Sequence, residues 1–184
     1  MDSYLIIYVV LAVAYRAVDI LILFRTRTIA KKPDRDWTEW LIMVPYWLVV
    51  VAPAIEYLGR DYRRPGVFAL VVGAILFALA MILRARAHLD LNKQFTRFIE
   101  EGKERGLVTS GLYAYVRHPL YLSEVVYFLA CPTFLGVAWA WVLTAIGIAG
   151  IVTRIRVEER LLRESFEGYE AYAENTWTLI PWIY

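Results

Sequence analysis

The chain has 184 residues, enough for one compact domain or one small bundle. With 60% hydrophobic residues and a mean hydropathy of +0.49, it is too apolar for an ordinary soluble domain and reads as membrane-integral. A net charge of +2, with the basic residues scattered among apolar runs, gives no support to nucleic-acid binding; the single cysteine, Cys131, excludes an internal disulfide and fits no metal spacing.

The N-terminus, MDSYLIIYVV, carries an acid but no basic stretch and no small-residue cleavage site, so it predicts a retained helix and not a signal peptide. Residues 4–24 are largely apolar and long enough to cross about 30 Å of hydrocarbon. Arg16 and Asp19 interrupt them three apart on one helical face, which predicts an ion pair inside the bundle. Residues 25–36 form a basic loop, and Trp37 and Trp40 mark an interface belt. A second apolar run follows through residue 57, with Pro45 and Pro53 expected to kink it. After a polar loop at 59–65 comes a third span, 67–83, whose helix is expected to continue past Arg84 and Arg86 into water.

From 90 to 102, Leu91, Phe95, Phe98 and Ile99 recur at i, i+4, i+7 and i+8 with charged residues opposite. That pattern predicts an interfacial amphipathic helix. Residues 121–130 make a short apolar arm expected to break at Cys131-Pro132-Thr133, and 135–153 make a full span; the two should form a hairpin.

Counting Lys and Arg gives five in the loop after the first span, seven from 84 to 117 and four after 153. The loop after the second span has three and the CPTFLG turn none. The positive-inside rule then puts the N-terminus outside and the C-terminus in the cytoplasm.

Two polar islands share that cytoplasmic side. The first, RGLVTSGLYAYVRHPLYLSE from 105 to 124, holds one of only two histidines; the second, RIRVEERLLRESFEGYEAY, runs from 154 to 172. Pro119 suits the first turn of a helix and holds His118 extended at its mouth. Arg154 and Glu158 sit four apart on one helical face. Glu124, an acid one turn inside an apolar arm, is a functional candidate by default, with pairing to Arg117 or Arg156 as its structural alternative. His-Pro can equally be a simple cap and the Arg/Glu cluster a solvated anchor; only their combination argues for a site beside an apolar cavity.

GLYAYVRHPLYLSE, followed by VEERLLRESFEGYEAYAENTWTLIP, resembles the isoprenylcysteine carboxyl methyltransferase family, which is related to the membrane phospholipid methyltransferases. The resemblance covers roughly 95–181, nearly half the chain, and the chain resembles the shorter prokaryotic members. It implies transfer of a methyl group from S-adenosyl-L-methionine inside a cell-membrane bundle. The cofactor positions it implies are Leu107, Val108, Tyr113, His118, Pro119, Leu120, Tyr121 and Glu158, with Arg105, Gly106 and Glu100 aligning more loosely. The arginine associated with the substrate carboxylate falls on Arg154. The tail departs from the family pattern: 173–178 lacks basic residues, and Glu167-Gly168 inverts the usual order.

The chemistry suits these roles. A carboxylate nucleophile is ionised at neutral pH and needs no general base, so Arg154 would orient it and the bundle would exclude water. An amine would need a base such as Glu124 or His118. No metal is required, and no G-x-G-x-x-G cradle is present.

The expectation is an all-α integral-membrane bundle of five transmembrane segments, the last two a helical hairpin, with an interfacial amphipathic helix and a cytoplasmic C-terminal helix. It forms one domain, 1–184, in which 1–89 is a three-helix N-terminal bundle and 90–184 the cofactor-binding and catalytic region. Its substrate is lipidic or apolar, most simply a carboxylate, and enters from the bilayer among the membrane lipids. The alternatives are a phospholipid or other small-molecule N- or S-methyltransferase, an NADPH-dependent membrane reductase, and a non-enzymatic scaffold.

Overall fold

The computed structural model describes residues 2–26, 40–61, 63–100 and 106–182, without the side chains of 19, 22–26, 41–42 and 92–100. The predicted basic loop beyond Thr26, Trp37, the Asp19 half of the predicted ion pair, the Phe95–Phe98–Ile99 face, the Glu100 side chain and Arg105 lie outside the described residues.

The elements are α1 (Ser3–Thr26), α2 (Trp40–Gly59), α3 (Val67–Glu100), a 3-10 turn (Gly111–Ala114), α4 (Pro119–Leu135), α5 (Ala140–Ser165) and α6 (Tyr169–Glu174). The described residues contain no strand, only an isolated parallel bridge between Val116 and Trp177. The all-α expectation holds.

α2 runs as one helix through Pro45 and Pro53. Two local expectations are corrected. The short arm does not end at Cys131-Pro132-Thr133: α4 runs on to Leu135, 17 residues or roughly 25 Å. It stops at Gly136 (φ +63), whose left-handed conformation lets its N–H close on the carbonyls of Pro132 and Thr133. The backbone from 90 to 100 is no separate helix but the end of α3, since no glycine or proline interrupts it after Gly73.

α4 is the inner helix. It packs against α1, α2, α3 and α5, and Val125, Tyr127, Phe128, Ala130, Cys131, Phe134 and Leu135 are buried along it. Two glycines permit this approach. A Cβ on Gly73 of α3 would lie 2.5 Å from the Phe134 Cα, and one on Gly147 of α5 would lie 2.8 Å from the Phe128 ring. A tyrosine stack crosses the core, with Tyr15 over Tyr127 at 4.0 Å between centroids and Tyr46 beyond at 5.8 Å.

The outward faces are apolar. Val10, Val13, Leu21, Trp47, Ile55, Phe68, Ile75, Ile82, Trp139 and Val142 are all exposed. Two helices are long and apolar enough to cross a membrane, Val67–Leu91 and Ala140–Ser165, and only 17% and 28% of their apolar windows are buried inside the protein. A soluble core helix would be mostly buried, so these faces fit lipid.

The two ends of the bundle are distinct. At one, Asp2 meets Tyr57 at 3.1 Å. Glu56 accepts the N–H groups of Ala138 and Ala140 at 2.7 and 2.9 Å, and Arg60 reaches the Gly136 carbonyl at 3.2 Å. That end holds the N-terminus and the α2–α3 and α4–α5 connections; both polar islands lie at the other. Gly73→Val should overpack the α3–α4 contact against backbone atoms that cannot retreat, and lower stability by about 1–3 kcal/mol or more. Thermal unfolding in detergent checks it; an unchanged midpoint would mean that the two helices do not approach so closely.

Candidate active site

The first island is folded by contacts with α3 and the tail. Asp90 of α3 is buried and accepts the Leu112 N–H at 2.9 Å, while Arg86 approaches it at 3.4 Å. Gly111 (φ +65) is required here, because a Cβ would fall 2.2 Å from the Asp90 Oδ2. The tail then lies along the island. Arg117 N–H donates to the Trp177 carbonyl (2.8 Å), Trp177 N–H to Tyr115 (2.9 Å) and His118 N–H to Thr178 (3.2 Å).

Arg117 fastens this arrangement. Its guanidinium donates to the carbonyls of Ala173 (2.9 Å) and Thr176, to the Thr178 hydroxyl (2.7 Å), and to Glu159 (2.9 Å). Glu159 also takes hydrogen bonds from the His118 Nε2 and the Tyr169 hydroxyl, both at 2.8 Å. Burial raises the Tyr169 phenol well above its ordinary pKa and that of Tyr172 to about 12, so both stay protonated donors at neutral pH. Tyr172 donates to the Tyr113 carbonyl at 2.7 Å. On the preceding residue of α5, Glu158 accepts the Tyr121 hydroxyl at 2.8 Å, and Arg154 lies beside the same hydroxyl.

These groups surround a cavity of about 460 Å³, within the range that holds a drug-sized ligand. Of the residues expected from sequence, Gly106, Leu107, Val108, Tyr113, His118, Pro119, Leu120, Tyr121, Glu124 and Glu158 all line it. Arg154 does not, although it touches the wall through Tyr121. The Glu100 side chain and Arg105 lie outside what is described.

The cavity also draws on parts of the chain that sequence reasoning left out. Arg16 of α1 and Arg84 of α3 line it, so the site is not confined to 90–184, and Leu162, Phe166, Tyr169 and Tyr172 form its tail side. Glu124 pairs with neither Arg117 nor Arg156. Arg84 reaches it at 2.7 Å, Arg16 at 3.4 Å and the Tyr15 hydroxyl at 3.2 Å. Arg16 also lies 3.7 Å over the Tyr46 ring. Glu159 was missed although a signal existed: Ile151 and Ile155 are buried, and one further step of four puts Glu159 on the same face. Among the described residues no cluster of His, Cys, Asp or Glu could hold a metal.

Glu124→Gln would remove the carboxylate that two guanidiniums share. It should destabilise the fold by about 3 kcal/mol, the scale for breaking a buried pair. Most of this comes through Arg84, because Arg16 is 37% exposed and screened. The thermal midpoint in detergent measures it, and an unchanged midpoint would make the cluster energetically idle.

The isoprenylcysteine carboxyl methyltransferase (ICMT) family model matches residues 71–164, from α3 to the end of α5. A protein-S-isoprenylcysteine O-methyltransferase of Dictyostelium discoideum is 32% identical over 61% of this chain and 49% of its own length, so the match spans about half of that relative. Protein-S-isoprenylcysteine O-methyltransferase A of Arabidopsis thaliana is 28% identical over 78% of this chain and 77% of its own. The Schizosaccharomyces pombe enzyme of the same name is 31% identical over 75% and 67%. These matches decide for methyl transfer over the reductase and scaffold alternatives. With the RHPxY turn and Glu158 walling one cavity at the end of an apolar bundle, the chain belongs to the isoprenylcysteine carboxyl methyltransferase family and is a membrane methyltransferase.

Proposed function

We propose that the methyl donor is S-adenosyl-L-methionine and that the acceptor is the carboxylate of an S-prenylated cysteine or a similarly apolar acid. One observation carries this reading: Gly106 to Val108, Tyr113, His118 to Tyr121 and Glu158, distant in sequence, all wall a single cavity. The relatives' names supply the substrate class, a prenylated cysteine methylated on oxygen.

The residues present suit such a donor. Its ammonium and ribose hydroxyls call for acceptors, which the Glu158 carboxylate and the His118 ring provide, while Leu107, Val108 and Leu120 offer apolar surface to an adenine. When bound, the donor supplies an activated methyl group on a sulfonium. The chain's own task is then to bind, orient and keep water out. Arg154, one turn before Glu158 and beside Tyr121, is the proposed holder of the acceptor carboxylate.

The state of the cavity's acids favours a carboxylate acceptor over an amine. An amine must lose a proton, yet Glu124 is engaged by two arginines, Glu158 by Tyr121, and His118 is held by Glu159 as a contact for the methyl donor. Glu124 therefore reads as a brace for Arg84 and Arg16, with its catalytic role set aside.

The finer membrane arrangement belongs to the same proposal: five crossings, with the Glu56–Arg60 end outside and the cavity facing the cytoplasm, as the basic-residue count favours. Arg16, half-way out of the protein and part of the cavity wall, marks the side from which an apolar chain in the bilayer would arrive.

Two experiments test the reading. Calorimetry should show S-adenosylhomocysteine binding to the parent protein, with Glu158→Ala weaker by at least roughly tenfold. Labelled methyl should pass to S-farnesyl-N-acetylcysteine and yield a base-labile ester; a base-stable product would move the acceptor atom to nitrogen or sulfur. In sealed cells, a cysteine placed at Arg63 should react with an impermeant maleimide and one at Glu174 should not. The reverse pattern would invert the proposed orientation.

A further inference from the structure

Glu159 does not reach the cavity, yet three side chains that it holds do. Its Oε1 accepts Arg117 Nε at 2.9 Å, His118 Nε2 at 2.8 Å and Tyr169 Oη at 2.8 Å, and all three partners line the cavity. Arg163, one turn further along α5, approaches the other oxygen at 3.6 Å and contacts Glu170 of α6 at 3.1 Å. Arg117 extends the constraint through its bonds to the carbonyls of Ala173 and Thr176 and to the Thr178 hydroxyl. The start of α4, the last turns of α5, α6 and the tail thus share one fixed point outside the site.

We propose that Glu159 is a positioning residue for the methyl-donor site: it orients His118 and seats the tail wall bearing Tyr169, and it touches neither donor nor acceptor. This rests on reading the cavity as the donor's.

The chemistry follows from the shared oxygen. A carboxylate that accepts the Nε2 proton leaves the ring's Nδ1 with its lone pair, so His118 is presented as an acceptor. An ammonium or a ribose hydroxyl is the complementary donor. Arg117 and Tyr169 hold the same oxygen, so the imidazole cannot turn without breaking a network of charge-assisted bonds. A ligand site oriented in this way through outer contacts loses affinity when those contacts are loosened, much as metal ligands do. The acceptor side is built differently: Arg16 and Arg84 meet at Glu124, and Arg154 lies beside Tyr121.

The test compares the parent with Glu158→Ala, Glu159→Gln, Tyr169→Phe and the double variant Arg117→Met/Glu159→Leu. The double variant removes both charges together, which leaves neither buried without its partner and keeps the fold in play should Glu159→Gln not fold. The measurements are thermal midpoint, S-adenosylhomocysteine affinity, KM for each substrate, and the imidazole ¹⁵N signals assigned with a His118→Gln control.

Glu159→Gln and the double variant should bind S-adenosylhomocysteine at least roughly tenfold more weakly and raise the donor KM in step. KM for the prenylated acid should stay within about twofold, and the His118 signals should lose the Nε2–H pattern. Tyr169→Phe should lie between these variants and the parent. The inference is overturned if the folded variants bind within about twofold of the parent. It is equally overturned if both KM values rise together with a falling midpoint, since that is mere loss of structure. A parent that does not bind S-adenosylhomocysteine overturns the donor reading itself, and this inference with it. Loss of binding in Glu158→Ala alone overturns only the role given to Glu159.

Discussion

A single guanidinium holds the two polar stretches of this chain together. The Arg117 side chain is only 9% exposed, and a charge so placed must be paired and hydrogen-bonded or the fold is penalised heavily. Its planar fork offers five N–H donors in fixed directions. Glu159 takes one, and three more go to Ala173, Thr176 and Thr178. Satisfying one residue therefore fixes α5 and the tail relative to the start of α4. A lysine has the charge but not the fork, and could not tie three segments at once.

The same demand explains why the site lies at one end of the bundle. The outer faces of the helices are apolar, so polar side chains among the described residues gather mainly toward one end of the bundle and around the inner face of α4. Along α5 the buried stripe changes character, from Ile151 and Ile155 in the core to Glu159 behind the cavity wall. Its neighbour Glu158 is turned by about 100° and faces the cavity through Tyr121. Two adjacent glutamates thus have different surroundings, one on the wall and one behind it.

Glu124 shows what an acid inside an apolar helix meets once the helices pack. An acid inside an apolar helix invites a catalytic reading. Here two arginines from different helices and a tyrosine converge on it, which makes it the polar centre of the α1–α3–α4 packing. The close approach at Gly73 brings α3 near enough for Arg84 to make that contact. Packing of a glycine and pairing of a charge are here one arrangement.

Much of this was legible in one dimension. Hydrophobic run lengths gave helices, because an apolar backbone in lipid must satisfy its own hydrogen bonds. The RHPLY turn and the VEE segment, by resemblance, gave one side of the cavity wall, because those residues act from helix starts and ends whose local geometry is set by Pro119 and by helical period. Breaks were less legible: Pro132 looked like an end, but a helix tolerates one missing donor where a left-handed glycine four residues later can close it.

What the sequence by itself determined is therefore the class of protein, its helical segments and the chemistry gathered at two short islands. Only the tertiary structure decided that Arg16 and Arg84 reach the cavity from the first half of the chain, that Glu124 braces them, and that Glu159 stands behind the wall. Such pairings join residues some 40 to 110 positions apart. Local pattern sets which face a side chain occupies, whereas the partner it meets depends on how whole helices pack.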